Sequence, residues 1–360
     1  VHFVGFDDSK SDEKLGELSD HLNKMIKELR TKKQVDIVIL SMHGGGKESF
    51  KLASKLKGLD IIISGHTHKQ EFAIVNDVII NQTGSYGENL GLLEFTYNPK
   101  TKKMHMEGVE KNHVITVTDK INEDPIWKKR VDQYRTESFK LMGHTTSPDE
   151  VIFTPRKDYI RSSAIPNPMG ELVTSSVISE LNSQLPKEEK VDAYFTSMGL
   201  VRTSFNKNTP YTSAEIFEAT SIGFDKNKKP GIEVVSFYLT PKEVKLIINF
   251  MEIYTFISTS FSPAISPNLS FKIRKWGIPF INRIYDLKLD GKPLSDYERL
   301  IKIGTNKYVL ANIETVNKIT HGWVDLEPKT KSGDKIVNYP NHPKEYQLMI
   351  EHFRKNPKKF

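Results

Sequence analysis

Two short apolar runs, 35–40 and 59–64, each stop abruptly at glycine and histidine. Val35-Asp36-Ile37-Val38-Ile39-Leu40 runs into Ser41-Met42-His43-Gly44-Gly45-Gly46, and Leu59-Asp60-Ile61-Ile62-Ile63-Ser64 into Gly65-His66-Thr67-His68. Runs this short, rich in β-branched residues and bounded by glycine, read as buried strands. Ahead of them Leu22, Met25, Ile26 and Leu29 fall at helical spacing, and 48–56 reads as a short helix between the two strands. Residues 1–6 look like another strand and 7–19 look polar and turn-like. The resulting β-α-β-α-β order predicts adjacent parallel strands. It would bring His43, His66 and His68 to one sheet edge, where open α/β sheets hold their ligands. Further strands are expected at 78–82 and 91–97, and 113–118 closes this section.

The pattern then changes. Residues 125–142 read as a helix with Ile126, Val131, Tyr134 and Leu141 broadly on one face. Residues 169–185 form a stronger amphipathic helix, followed by a strand at 191–196 that ends in Ser197-Met198-Gly199-Leu200-Val201-Arg202. Thr212-Ser213-Ala214-Glu215 and Thr240-Pro241-Lys242-Glu243 are capping boxes, the second with proline at the first helical position. A strand is expected at 232–239, a Ser/Pro loop at 258–269, and strand-turn-strand at 283–303 around Asp290-Gly291. The last residues, 339–360, read as a basic tail, loosely helical. The order implies an α/β and α+β chain: domain 1–118, a connector helix within 119–150, a second domain 151–338, and the tail 339–360.

Composition narrows the chemistry. The 360 residues suffice for two domains with their own cores. No apolar run is long enough to span a bilayer, and the first residues carry no basic region or cleavage site of a signal peptide. The absence of an initiator methionine reads as processing, or as a fragment that begins inside a domain. There is no cysteine, which excludes thiolate metal sites, disulfides and cysteine nucleophiles. The net charge of +7 lies wholly beyond residue 118, since 1–118 holds 16 basic and 16 acidic residues. A basic second half suits an anionic ligand, although most of these lysines read as solvated surface. The basic residues are not interleaved with a stacking motif, so polymeric nucleic acid is not an expected partner.

Two imidazoles two residues apart at a strand end make a half-site for a transition metal, while for His43 alone the alternative is a buried, hydrogen-bonded histidine. Together, the segments ending in His43-Gly44 and in Gly65-His66-Thr67-His68, with Asn81-Gln82-Thr83-Gly84-Ser85-Tyr86-Gly87-Glu88-Asn89-Leu90-Gly91, resemble the calcineurin-like metallophosphoesterase domain of the 5′-nucleotidase family. Residues 151–338 resemble that family's C-terminal substrate-binding domain, through Arg161, Met169-Gly170-Glu171-Leu172-Val173, Gly199-Leu200-Val201-Arg202, Tyr211-Thr212 and Thr305-Asn306-Lys307-Tyr308.

The resemblance implies the C-terminal half of a layered α/β/β/α metal domain followed by a second α/β domain. It implies two divalent ions (Zn, Mn, Co or Fe) held in part by His43, His66 and His68, and a nucleotide or other small phosphate ester held by Arg156, Arg161, Ser197 and Arg202. Phe224 and Trp323 would stack on the base. Against these stand plainer readings: surface ion pairs for the arginines, core for Trp323. The family's Asp-x-His strand end, bridging Asp and Gly-Asn-His-Glu/Asp segment have no counterpart here, so no catalytic residue is assigned and the chain alone is expected to have little activity. Ser197 stands where the family has asparagine, Glu171 likewise, and Ile222 where it has a phenylalanine. These departures keep two alternatives open: a non-catalytic nucleotide-binding relative, or the same fold acting on a UDP-sugar, a 2′,3′-cyclic nucleotide or a sulfur conjugate. By the same resemblance the protein would be periplasmic or at the cell surface.

Overall fold

The structure is a computed structural model that describes residues 11–106, 114–142, 147–257, 262–274, 283–311 and 326–357. The strand expected at 1–6, and Trp323, lie outside the described residues. The chain divides into two compact units, Val1–Pro125 and Ile126–Phe360.

In the first unit, α1 (Ser11–Thr31) begins well before the helix expected at 20–29, within the segment read as turn-like. It is followed by β1 (Ile39–Ser41), α2 (Gly45–Lys55), β2 (Ile61–Ile63), β3 (Gln70–Val75) and β4 (Val78–Thr83). The strands form a sheet in the order β1-β2-β4-β3. β1 pairs parallel with β2, and β2 with β4, as the alternation with helices requires. One face of the sheet is closed by the helices: Val38, Ile62, Val78 and Ile80 pack with Leu15, Ile26, Leu52 and Ala53. β3 was not expected from sequence. It folds back on β4 through Asn76-Asp77, both at positive φ (50° and 65°), a two-residue hairpin turn. The single strand expected at 91–97 is two pieces, β5 (Asn89–Gly91) and β6 (Phe95–Asn98), paired to β8 (Val114–Thr116) and β7 (Lys103–Met106).

The second unit opens with α3 (Pro125–Leu141), whose end places Phe139 and Met142 against Ala214 and Phe217. The end of this helix therefore packs within the second unit. After β9 (Val151–Phe153) come α4 (Pro168–Gln184), β10 (Ala193–Ser197), β11 (Tyr211–Thr212), α5 (Ser213–Thr220), β12 (Glu233–Leu239) and α6 (Pro241–Ile257). Then follow β13 (Pro263–Ile265), β14 (Leu269–Ile273), β15 (Ile284–Leu289), β16 (Lys292–Pro293), β17 (Ile301–Asn306), β18 (Asn341–Lys344) and α7 (Glu345–Lys355). Both capping boxes form: Glu215 N–H donates to Thr212 Oγ1 at 3.4 Å and Glu243 N–H to Thr240 Oγ1 at 3.2 Å.

The central sheet runs β13-β10-β17-β12-β18. β10 and β17 are buried along their whole length, and their side chains alternate between two cores. Tyr194 and Val234 face α4 and α7; Ala193, Phe195, Ile301, Ile303 and Phe237 face α6 and the β14–β15 hairpin.

The basic tail expected at 339–360 is instead an edge strand and a core helix. Tyr346, Leu348, Met349, Ile350 and Phe353 of α7 are buried, and Phe353 stacks on Phe153 at 4.2 Å. The tail reading fails because the stretch is tied into the core: Lys344, nearly buried, pairs with Asp225 at 3.0 Å, and Lys355, itself exposed, reaches buried Glu180 at 2.5 Å. Glu345, the first residue of α7, is fully enclosed. Its Oε1 accepts from Tyr194 Oη (2.6 Å) and Asn306 Nδ2 (3.0 Å). Burial outweighs these bonds and holds its carboxyl above the ordinary value.

A carboxyl raised in the folded state contributes stability that is complete below the ordinary value of 4.5 and is lost as pH rises through the folded value. Glu345→Gln keeps a neutral group at every pH. Wild-type stability relative to E345Q should therefore fall as pH rises above the ordinary value of 4.5, read by urea unfolding of both proteins across a pH series. A constant or rising difference would contradict the assignment.

Candidate functional site

Register builds the first site. β1 and β2 pair Ile39 with Ile61, Leu40 with Ile62 and Ser41 with Ile63, so the two chains leave the sheet side by side. The ladder runs on, with Met42 N–H donating to Ile63 O and Ser64 N–H to Asn81 O, both at 2.9 Å. His43 and His66 follow directly. Their rings lie edge to face with centroids 5.0 Å apart. All three candidate histidines are exposed, which removes the buried-histidine alternative.

Glycine is needed at this edge for two reasons. Gly65 lets the His43 ring lie against the neighbouring strand end, since a Cβ there would stand 3.1 Å from His43 Nδ1. Gly45, at φ 77°, begins α2 in the left-handed region, and a Cβ would stand 2.6 Å from Thr67 Cγ2. Buried Ser49 closes the loop from inside, its hydroxyl donating to Gly45 O (2.6 Å) and lying 2.8 Å from the Ser64 hydroxyl. His66 and His68 are themselves held at φ 86° and 59°. Non-glycine residues there carry strain of order 1–3 kcal/mol each, and such strain concentrates where geometry serves function.

Two imidazoles on one tetrahedral ion, with metal–nitrogen distances of about 2.0–2.1 Å, place their ring centroids about 5 Å apart. The His43–His66 spacing fits that arrangement. The His68 ring packs edge-on against Tyr86 at 5.5 Å. Among the described residues no group of three or more His, Asp or Glu assembles. The residues thus fit two imidazole ligands of one ion and do not by themselves make a two-metal centre.

In the second unit the structure gathers Arg161, Ser197 and Arg202 at one turn. The Arg161 guanidinium donates to Val201 O (2.5 Å, from Nε) and Met198 O (3.2 Å), and its backbone N–H to Ser204 Oγ. Ser197, buried at the end of β10, accepts from Gly199 N–H at 3.2 Å. Arg202 is half-buried and donates to Gly199 O at 3.1 Å. Arg161 therefore braces the turn, and Arg202 is the arginine the turn carries. Arg156 is exposed on the loop after β9. Phe224 is 70% exposed, on a hairpin pinned by the Asp225–Lys344 pair. Ile222 is half-buried against the α6-side core.

No family model matches the chain. Among curated proteins it is 25% identical over 146 residues to the trifunctional nucleotide phosphoesterase protein YfkN of Bacillus subtilis (strain 168), covering 38% of this chain and 10% of that protein. It is 26% identical over 141 residues to the snake venom 5′-nucleotidase of Naja atra, covering 34% and 25%. In fold it resembles the crystal structure of the 5′-nucleotidase precursor from Thermus thermophilus, with a TM-score of 0.64 at 17% identity over 94% of this chain and 64% of that one. The matched part spans less than two thirds of each of these relatives. The fold is mixed α/β and resembles that of 5′-nucleotidase structures, and the sequence is distantly similar to these two nucleotide phosphoesterases.

Gly45→Ala adds a left-handed alanine and a clash with Thr67. It should destabilise the first unit by about 1–3 kcal/mol, read by chemical denaturation.

Proposed function

We propose that the chain is part of a metal-dependent phosphoester hydrolase of the 5′-nucleotidase type, acting on a nucleoside monophosphate or a related small phosphate ester. The observation that carries this reading is the His43–His66 pair, set at ion-sharing distance on adjacent parallel strand ends. An ion held there supplies an acidified water and a Lewis acid for a phosphoryl oxygen. The chain's own part is to hold imidazole nitrogens at that edge and to offer a cation to the anionic substrate. Arg202 supplies the cation, on a turn that Arg161 keeps in shape. The same reading includes export to the periplasm or cell surface. No helix among the described residues is long and apolar enough to cross a membrane.

Two imidazoles without a carboxylate bind metal weakly. The 1–360 chain is therefore expected to hydrolyse AMP and p-nitrophenyl phosphate slowly or not at all, while binding Zn2+ in a way that His43→Ala and His66→Ala each abolish by calorimetry. Robust hydrolysis that survives both substitutions would refute the reading.

A second reading, a nucleotide-binding relative without turnover, is favoured by Arg161 being engaged with backbone carbonyls and by Ser197 at the turn. Both readings require Arg202: Arg202→Ala should weaken AMP binding about tenfold by calorimetry. Unchanged affinity would remove Arg202 from the site. If longer forms containing both units bind AMP but fail to hydrolyse it with Zn2+, Mn2+ or Co2+, the second reading stands.

A further inference from the structure

Between His66 and His68 stands Thr67, and its side chain is held from two sides. Its methyl lies against Gly45, whose Cβ, if present, would be 2.6 Å away. Its hydroxyl accepts from Gln82 Nε2 at 2.6 Å. The same amide donates to Lys69 O at 2.8 Å and reaches Glu71 Oε2, on the residue paired with it across β3–β4, at 3.2 Å. One side-chain amide thus grips the residues on both sides of His68, in the stretch where the backbone holds two non-glycine residues in the left-handed region.

Gln82 is 1% exposed, and its Oε1 is buried with no hydrogen-bond partner among the described residues. Burying a side-chain amide at the end of an apolar strand costs desolvation that a core chosen for stability alone would avoid. The donor half of the amide explains its retention: it fixes a turn that the backbone would otherwise leave.

We infer that Gln82 is a positioning residue for the His66–His68 turn, acting through Thr67 and Lys69. The inference rests on the proposed function only where it treats these histidines as metal ligands.

Gln82→Met keeps length and shape and removes both donors; Thr67→Val keeps shape and removes the acceptor. In the 1–360 chain, each should speed backbone hydrogen exchange in residues 64–70 and shift the ring resonances of His66 and His68. Exchange in β1 and in the first half of β4 should stay as in wild type. Because both substitutions cut the same contact, the double variant should exchange no faster than Q82M. Zn2+ affinity should fall about tenfold in each. If wild type takes up no Zn2+ while exchange and ring shifts respond as expected, the positioning role stands and the metal assignment fails. Wild-type exchange and ring shifts in a folded Q82M, additive effects in the double variant, or faster exchange spread through the whole first unit would each overturn the inference. Should Q82M not fold, T67V decides by the same readouts.

Discussion

The parallel register of two three-residue strands governs the candidate metal site. Ile62 is locked in the core beneath α1 and α2, and the pairing of β1 with β2 fixes which residues leave the two strands side by side. That lock places residue 43 next to residue 66. The glycines and Ser49 then refine what the register has set, by removing side chains where rings must approach and by tying the first turn of α2 to the end of β2. The strain at His66 and His68 is tolerated because the elements on either side are fixed.

In the second unit the comparable role falls to the junction of β18 and α7. Two consecutive residues reach in different directions. Lys344 ties down the hairpin bearing Phe224, through Asp225 and the carbonyls of Lys229 and Pro230. Glu345 joins Tyr194 of β10 to Asn306 of β17. Gly304 makes room for this, since Tyr194 lies across it where a Cβ would stand 2.8 Å from the ring. A buried carboxyl and a nearly buried ammonium are costly to enclose, and each is matched to several partners.

The elements legible in sequence were those whose signal is local. Ile61-Ile62-Ile63 before glycine announces a buried strand, and Thr-x-x-Glu announces a helix start, because propensity and capping act over a few residues. β3 escaped because Gln70-Glu71-Phe72 breaks the apolar run; its signal was the Asn76-Asp77 turn between Val75 and Val78. The helical character of α7 was legible but its burial was not, because the basic residues of the stretch suggest solvent and the partners of Lys344 and Lys355, Asp225 and Glu180, are far away in sequence. The candidate site divides the same way. The three histidines were visible as strand-end residues, but that His43 and His66 meet while His68 packs on Tyr86 depends on tertiary placement. Gln82 was visible only as a member of the Asn81–Gly91 motif, and its hold on Thr67 and Lys69 was not. Arg161 was visible as a cation, and its engagement with Met198 and Val201 was not.

The central proposal is that His43 and His66 hold one ion between them. Titrating the 1–360 chain with Zn2+ and following 15N-labelled imidazole signals tests it most directly. The account predicts that the rings of His43 and His66 shift together and reach completion at the same Zn2+ concentration, with His68 responding less. Independent shifts, or a response confined to His68, would contradict it.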